Sequence, residues 1–105
     1  MSVSTHVLDS VLGRPAAGIS VQLFAGEDLL AEGVTDADGR CRLTEEATSA
    51  RTHRLVFATG EWFAGHGRET FYPEVVLAFA VTRPAEHHHV PLLLAPFAYS
   101  TYRGS

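Results

Sequence analysis

Cysteine is almost absent. Cys41 is the single one among 105 residues, so no disulfide within the chain can hold the fold, which suits a reducing compartment. Basic charge is scarce as well: eight Lys and Arg face twelve Asp and Glu, the net charge is -4, and no basic cluster forms. That leaves no electrostatic handle for a phosphate backbone or an anionic bilayer, so neither nucleic acid nor a membrane is an expected partner. No apolar run reaches membrane-spanning length. Met1 to His6 carries neither a basic leader nor the apolar stretch of a signal peptide, and Arg103-Gly104-Ser105 is not a peroxisomal address; the cytoplasm is the expected location. Internal repeats, low-complexity segments and the composition shift that would mark a linker are missing too.

What is present is ordinary for a globular protein, with 46% hydrophobic and 19% charged residues. The length predicts one domain over residues 1–105, with a single core of modest stability unless the chain assembles. Apolar residues recur with a period of two. Thr5 to Asp9 reads as a first strand with His6 and Leu8 on one face, closed by the turn-prone Gly13-Arg14-Pro15 and Gly18. Taken alone, His6 is an exposed or edge-strand histidine. Ile19, Val21 and Leu23 alternate with Ser20, Gln22 and Phe24 in a second strand, and Leu29 to Val34 makes a third. Thr35 to Gly39 is rich in residues that tolerate special backbone angles, which predicts a hairpin returning through Arg40-Cys41-Arg42-Leu43, with Cys41 and Leu43 inward and both arginines outward. Asp36-Ala37-Asp38-Gly39 lacks the glutamate that completes a calcium loop, so calcium is rejected.

Thr44 to Ala50 is polar and irregular, with a helical turn expected around Glu45-Glu46. Arg51 to Ala58 is a fifth strand with Leu55 and Phe57 inward and His53 solvated. Gly60 to Gly65 is the one helical piece expected, stopped by glycine, with Trp62 and Phe63 plugging one end of the core. Glu74 to Val81 is apolar on both faces, which points to an edge strand or a subunit contact. The last stretch, His89 to Ser105, reads as two strands around a corner at Ala95-Pro96, running to the end of the chain. Val90, Leu92 and Leu94 form a core face, while His87, His89, Pro91 and Leu93 form a second face suited to burial by another copy. Seven or eight short strands of this kind make an all-β, two-sheet β-sandwich with one short helix.

His89-Val90-Pro91-Leu92-Leu93 followed by Tyr99-Ser100-Thr101-Tyr102-Arg103-Gly104-Ser105 resembles the C-terminal signature of the 5-hydroxyisourate hydrolases, the transthyretin-related enzymes of urate breakdown. Thr5-His6-Val7-Leu8-Asp9 with Gly13-Arg14-Pro15-Ala16 resembles the N-terminal signature, and Thr35 to Arg40 matches the turn whose arginine reaches substrate. The chain departs from the pattern at His88, where tyrosine is usual, and at Ala95, where serine is usual; neither is expected on the site face.

The resemblance implies a transthyretin-like (prealbumin-like) sandwich assembled as a homotetramer, a dimer of dimers. It implies hydrolysis of 5-hydroxyisourate to 2-oxo-4-hydroxy-4-carboxy-5-ureidoimidazoline without cofactor or metal. His6, Arg40, His89 and Ser105 are the expected catalytic residues, with Tyr102, Arg103 and Gly104 joining His6, Arg40 and Ser105 in binding substrate. The chemistry needs a base for water and donors for an oxyanion, which two imidazoles and a guanidinium supply. A zinc reading fares worse, because on a strand His87 and His89 share a face that His88 cannot join. The competing functions are a small-ligand carrier of transthyretin type, which has no need of paired histidines, and a structural module of a larger secreted protein.

Overall fold

The computed structural model describes residues 2–44 and 49–105, so the turn expected at Glu45-Glu46 lies outside the described residues. Nine strands and one helix are found among them: β1 (Ser2–Asp9), β2 (Arg14–Pro15), β3 (Ser20–Ala25), β4 (Asp28–Val34), β5 (Arg40–Thr44), β6 (Thr52–Phe57), α1 (Thr59–Gly65), β7 (Val75–Ala80), β8 (His87–Ala95) and β9 (Ala98–Thr101). They form the two-sheet sandwich that the alternation predicts. One sheet runs β2-β1-β8-β9, with β5 also on β1; the other runs β4-β3-β6-β7. β1 and β8 are parallel, pairing Ser4 with His89 and His6 with Pro91, so the first and last motifs of the chain lie side by side.

Strict alternation on β1 sends Val3, Thr5, Val7 and Asp9 inward and leaves Ser2, Ser4, His6 and Leu8 on the outer face. Val90, Leu92 and Leu94 of β8 join the core, where they meet Val21, Leu23, Leu55 and Phe57 from the facing sheet. Cys41 and Leu43 point inward as the sequence predicts. Phe63 of α1 is fully buried, and its neighbour Trp62 packs at the margin with Nε1 donating to the Ala17 carbonyl at 2.7 Å.

Three expectations are corrected. The segment from β4 to β5 is no hairpin: β4 pairs with β3, whereas β5 crosses to the other sheet and pairs with β1. Buried Thr35 pins that crossing, its Oγ1 accepting from Ile19 N at 2.9 Å and donating to the Ala16 carbonyl at 2.7 Å. Gly and Asp favour any tight reversal, whether it stays in one sheet or arches between two. His53 is not solvated but fully buried, with Nδ1 donating to the Arg51 carbonyl at 2.9 Å and its ring 5.9 Å from Phe79. It shares a face with Leu55 and Phe57, and the strand period outweighs its polarity. The last strand also stops short of the terminus, since β9 ends at Thr101 and Tyr102 to Ser105 follow as an irregular tail.

Candidate active site

The turn before β5 sets the first part of the site. Asp36 Oδ1 accepts from the backbone N–H groups of Asp38 and Arg40, both at 2.9 Å, and Val7 N donates to the Gly39 carbonyl at 2.8 Å. Gly39 is required here: its φ is +76°, and a Cβ would sit 2.4 Å from the Val7 carbonyl oxygen. This turn delivers Arg40 directly opposite His6 in the β1 to β5 register. It also brings the Asp38 carbonyl 2.9 Å from His6 Nε2. A carbonyl can only accept, so Nε2 of His6 carries a hydrogen.

The second part comes from β8. His89 is half-buried, and its Nδ1 lies 2.8 Å from Ser4 Oγ on the adjoining strand. Loss of solvent, followed by the positive charges of His87, Arg40 and His6, pushes the His89 imidazole below its ordinary pKa, against a smaller opposing effect at Ser4. The ring is therefore neutral at pH 7 and able to accept a proton. The irregular tail folds back over β8, where Gly104 N donates to the His89 carbonyl at 2.9 Å.

These pieces enclose a recess of about 480 Å³ whose wall includes His6, Arg40, His89, Tyr102, Gly104 and Ser105. Residues separated by up to 99 positions in sequence thus converge on one cavity, of a size that suits a flat bicyclic small molecule. Arg103 does not join them. Its guanidinium reaches Glu86 Oε2 at 3.3 Å and borders a neighbouring, more apolar recess of about 410 Å³ near Phe79 and His88. Tyr102 stands between the two cavities. His88 is buried on the opposite face of β8 from His87 and His89, so the three consecutive imidazoles do not point at one spot.

Ser4 and His87 are also on the recess wall and escaped the sequence reading of catalysis. Ser4 sits two positions before His6, and the period-two rule puts it on the same face. A serine in a strand carries no chemical signal until its partner is known, and its partners lie 83 and 85 positions away.

The chain matches the model of the HIUase/Transthyretin family over residues 3–104. It is 46% identical to a 5-hydroxyisourate hydrolase of Caulobacter vibrioides across 98% of this chain and 97% of that protein. Among solved structures, the 5-hydroxyisourate hydrolase of Klebsiella pneumoniae superposes over the whole of both chains with a TM-score of 0.93 at 39% identity. Transthyretin from Sparus aurata matches with a TM-score of 0.89 at 28% identity, over 97% of this chain and 95% of its own. With the sandwich, the paired terminal motifs and these likenesses in agreement, the chain belongs to the HIUase/Transthyretin family.

Proposed function

We propose that this protein is a hydrolase that opens 5-hydroxyisourate to 2-oxo-4-hydroxy-4-carboxy-5-ureidoimidazoline; relatives 40–46% identical to it over nearly its full length are named 5-hydroxyisourate hydrolases. The observation that carries the reading to residues is the meeting of His6, Arg40 and His89 at one recess. In this reading His89, held neutral, takes a proton from the attacking water, and His6 completes the acid/base pair through Nδ1. Arg40 clamps the substrate carbonyls with its planar fork and stabilises the oxyanion that develops at the attacked acyl carbon. Tyr102 and Ser105 orient the ring, Ser105 through its hydroxyl or the chain-terminal carboxylate. Gly104 lets the tail lie close against His89, and Arg103 contributes by tethering that tail to Glu86.

Freshly prepared 5-hydroxyisourate loses its ultraviolet absorbance slowly by itself, and the protein should accelerate that loss at micromolar concentration or below, with a rate that survives chelation. Ligand binding without acceleration would instead make the protein a carrier of transthyretin type. Acceleration abolished by chelation and restored by zinc would replace the acid/base scheme with a metal-assisted one.

A homotetramer, as a dimer of dimers, belongs to the same proposal. Its support is apolar surface that a single chain leaves open: Val76 is 41% exposed on the outer face of edge strand β7, and Phe97 is 62% exposed beyond β8. Sedimentation that finds only monomer at micromolar concentration would remove it. No helix among the described residues is long and apolar enough to cross a membrane. We assign the protein to the cytoplasm, which fractionation would check.

A further inference from the structure

Along one side of the recess, a line of side chains runs from His89 over the outer face of β1 and β8 to the protein surface. Ser4 Oγ lies 2.8 Å from His89 Nδ1 and 3.0 Å from His87 Nε2. The other nitrogen of His87, Nδ1, is in hydrogen-bond contact with Ser2 Oγ. The two imidazoles are nearly parallel, at 15°, with centroids 6.2 Å apart and the serine hydroxyl bridging them. His87 is exposed and His89 half-buried, so the line climbs from the recess toward water.

A hydroxyl has one hydrogen, so Ser4 cannot donate to both rings at once. When it donates to His87 Nε2 it accepts from His89 Nδ1–H, and His89 Nε2 then bears a lone pair. When it donates to His89 Nδ1 it accepts from His87 Nε2–H, and His89 Nε2 then bears a hydrogen. The first arrangement makes His89 a base at Nε2, and the second makes it an acid at the same atom. A proton taken up at His89 Nε2, with one proton moved at each of the two links, converts the first into the second and leaves the positive charge on His87.

We propose that Ser4 and His87 form a proton relay that sets the tautomer of His89 and holds the proton of the attacking water between the two halves of the reaction. This rests on the hydrolase reading, whose base it completes. Water gives a proton to His89 Nε2 as its oxygen bonds to the acyl carbon. The Nδ1–H of His89 passes to Ser4 Oγ while the Ser4 hydrogen passes to His87 Nε2, so His89 is neutral again and the positive charge rests on His87. His87 Nδ1–H meanwhile donates to Ser2 Oγ. When the ring nitrogen leaves the acyl carbon it takes the Nε2 hydrogen of His89, and the two transfers run in reverse. Each transfer breaks one N–H or O–H bond and forms another, and no proton is gained or lost over the cycle.

The gain is electrostatic. Arg40 and His6 border the same recess as His89, so an imidazolium held there faces both of them. His87 is on the same wall but exposed, so moving the charge to it places the charge against solvent. Arg42, Cys41, Tyr102 and the Ser105 carboxylate are the other ionisable groups on the recess wall, and His88 faces the core from the other side of the strand.

Ser4→Ala, Ser4→Thr, His87→Asn and the double variant Ser4→Ala/His87→Asn test the relay in the full chain. Ser4→Ala should lower kcat by about 10²-fold with KM within about twofold, the scale of a positioned proton-transfer group. Ser4→Thr keeps the hydroxyl and should restore most of the rate. The double variant should be no slower than the worse single one, because the two residues act as a unit. Nitrogen-15 spectra of free enzyme should show His89 mainly as the Nδ1–H tautomer in wild type and as a mixture in Ser4→Ala; a merely structural serine would not move that signal. Wild-type kcat and tautomer in Ser4→Ala, with the wild-type protein active, would overturn the relay and leave the hydrolase reading standing. Independent, multiplying losses in the double variant would overturn it also. A wild-type protein without turnover would remove the hydrolase reading and the relay with it.

Discussion

Gly104 stands so close to His89 that a Cβ on the glycine would fall 2.5 Å from His89 Cδ2 and 3.2 Å from Pro91 Cγ. The same glycine donates its N–H to the His89 carbonyl, so the tail is both bonded to β8 and pressed against a ring that lines the recess. Gly104→Ala should therefore displace either the ring or the tail. We expect kcat to fall by about tenfold or more, because small misplacements of a reacting group are costly, while the thermal midpoint moves little. Measuring kcat and Tm on one preparation separates the two; an unchanged kcat would mean that the tail yields without consequence for His89.

His89 and Arg40 should fail differently. His89→Asn keeps a polar group but cannot exchange a proton near neutral pH, so kcat should drop by about 10²–10⁴-fold with KM little changed. Arg40→Lys keeps the charge and loses the fork, so KM should rise as kcat falls. Both side chains point away from the core, and circular dichroism should show an intact fold. Near-wild-type turnover in His89→Asn would reduce His89 to a wall residue and move the proton transfer to His6.

Asp9 supplies the acid sensitivity of the fold. It is 1% exposed, its Oδ2 meets Arg68 Nη1 at 2.5 Å, and its Oδ1 accepts from the N–H groups of Val11 and Leu12. Burial alone would raise its pKa, but the Arg68 hydrogen bond and charge and those two N–H groups outweigh it and hold the carboxyl below the usual range. A group more acidic in the fold than in the open chain stabilises fully above the ordinary carboxylate pKa and loses that stabilisation as pH falls through the lower, folded value. Asp9→Asn leaves the Arg68 guanidinium without its partner and should cost about 3–5 kcal/mol near neutral pH, shrinking in acid. Urea denaturation at two pH values would show this; an equal loss at both would place the effect in packing rather than charge.

His88 should add a second, milder limb nearer neutrality. Burial, aided by the charges of Arg103 and His87, lowers its pKa against the opposing pull of Glu86. The unfolded chain then binds the proton first, so stability is full above the ordinary imidazole pKa and declines as pH drops toward the folded value. His88→Tyr should flatten the fall in Tm between about pH 7.5 and about pH 5.5. An unchanged slope would assign that limb to another group.

Much of this was readable along the chain. The period of two placed Val90, Leu92 and Leu94 in the core and His89 on the opposite face, because pleating forces neighbouring side chains to opposite sides whatever the strand pairs with. The same rule put Cys41 and Leu43 inward and Arg40 outward. His53 obeyed it as well; reading the residue by its polarity rather than its position led to the wrong side.

Partnership between strands was decided elsewhere. Periodicity states which face a residue shows but not which strand lies beside it, and the turn chemistry of Thr35 to Gly39 is common to hairpins and to arches between sheets. Only the folded chain sends β5 across to β1, where Arg40 comes opposite His6, and only the parallel pairing of β1 with β8 lays Ser4 beside His87 and His89. The terminal motifs were legible as residues because their types and spacing are local. Their meeting in one recess was not, since contacts across some 85 positions depend on how both sheets close over a shared core.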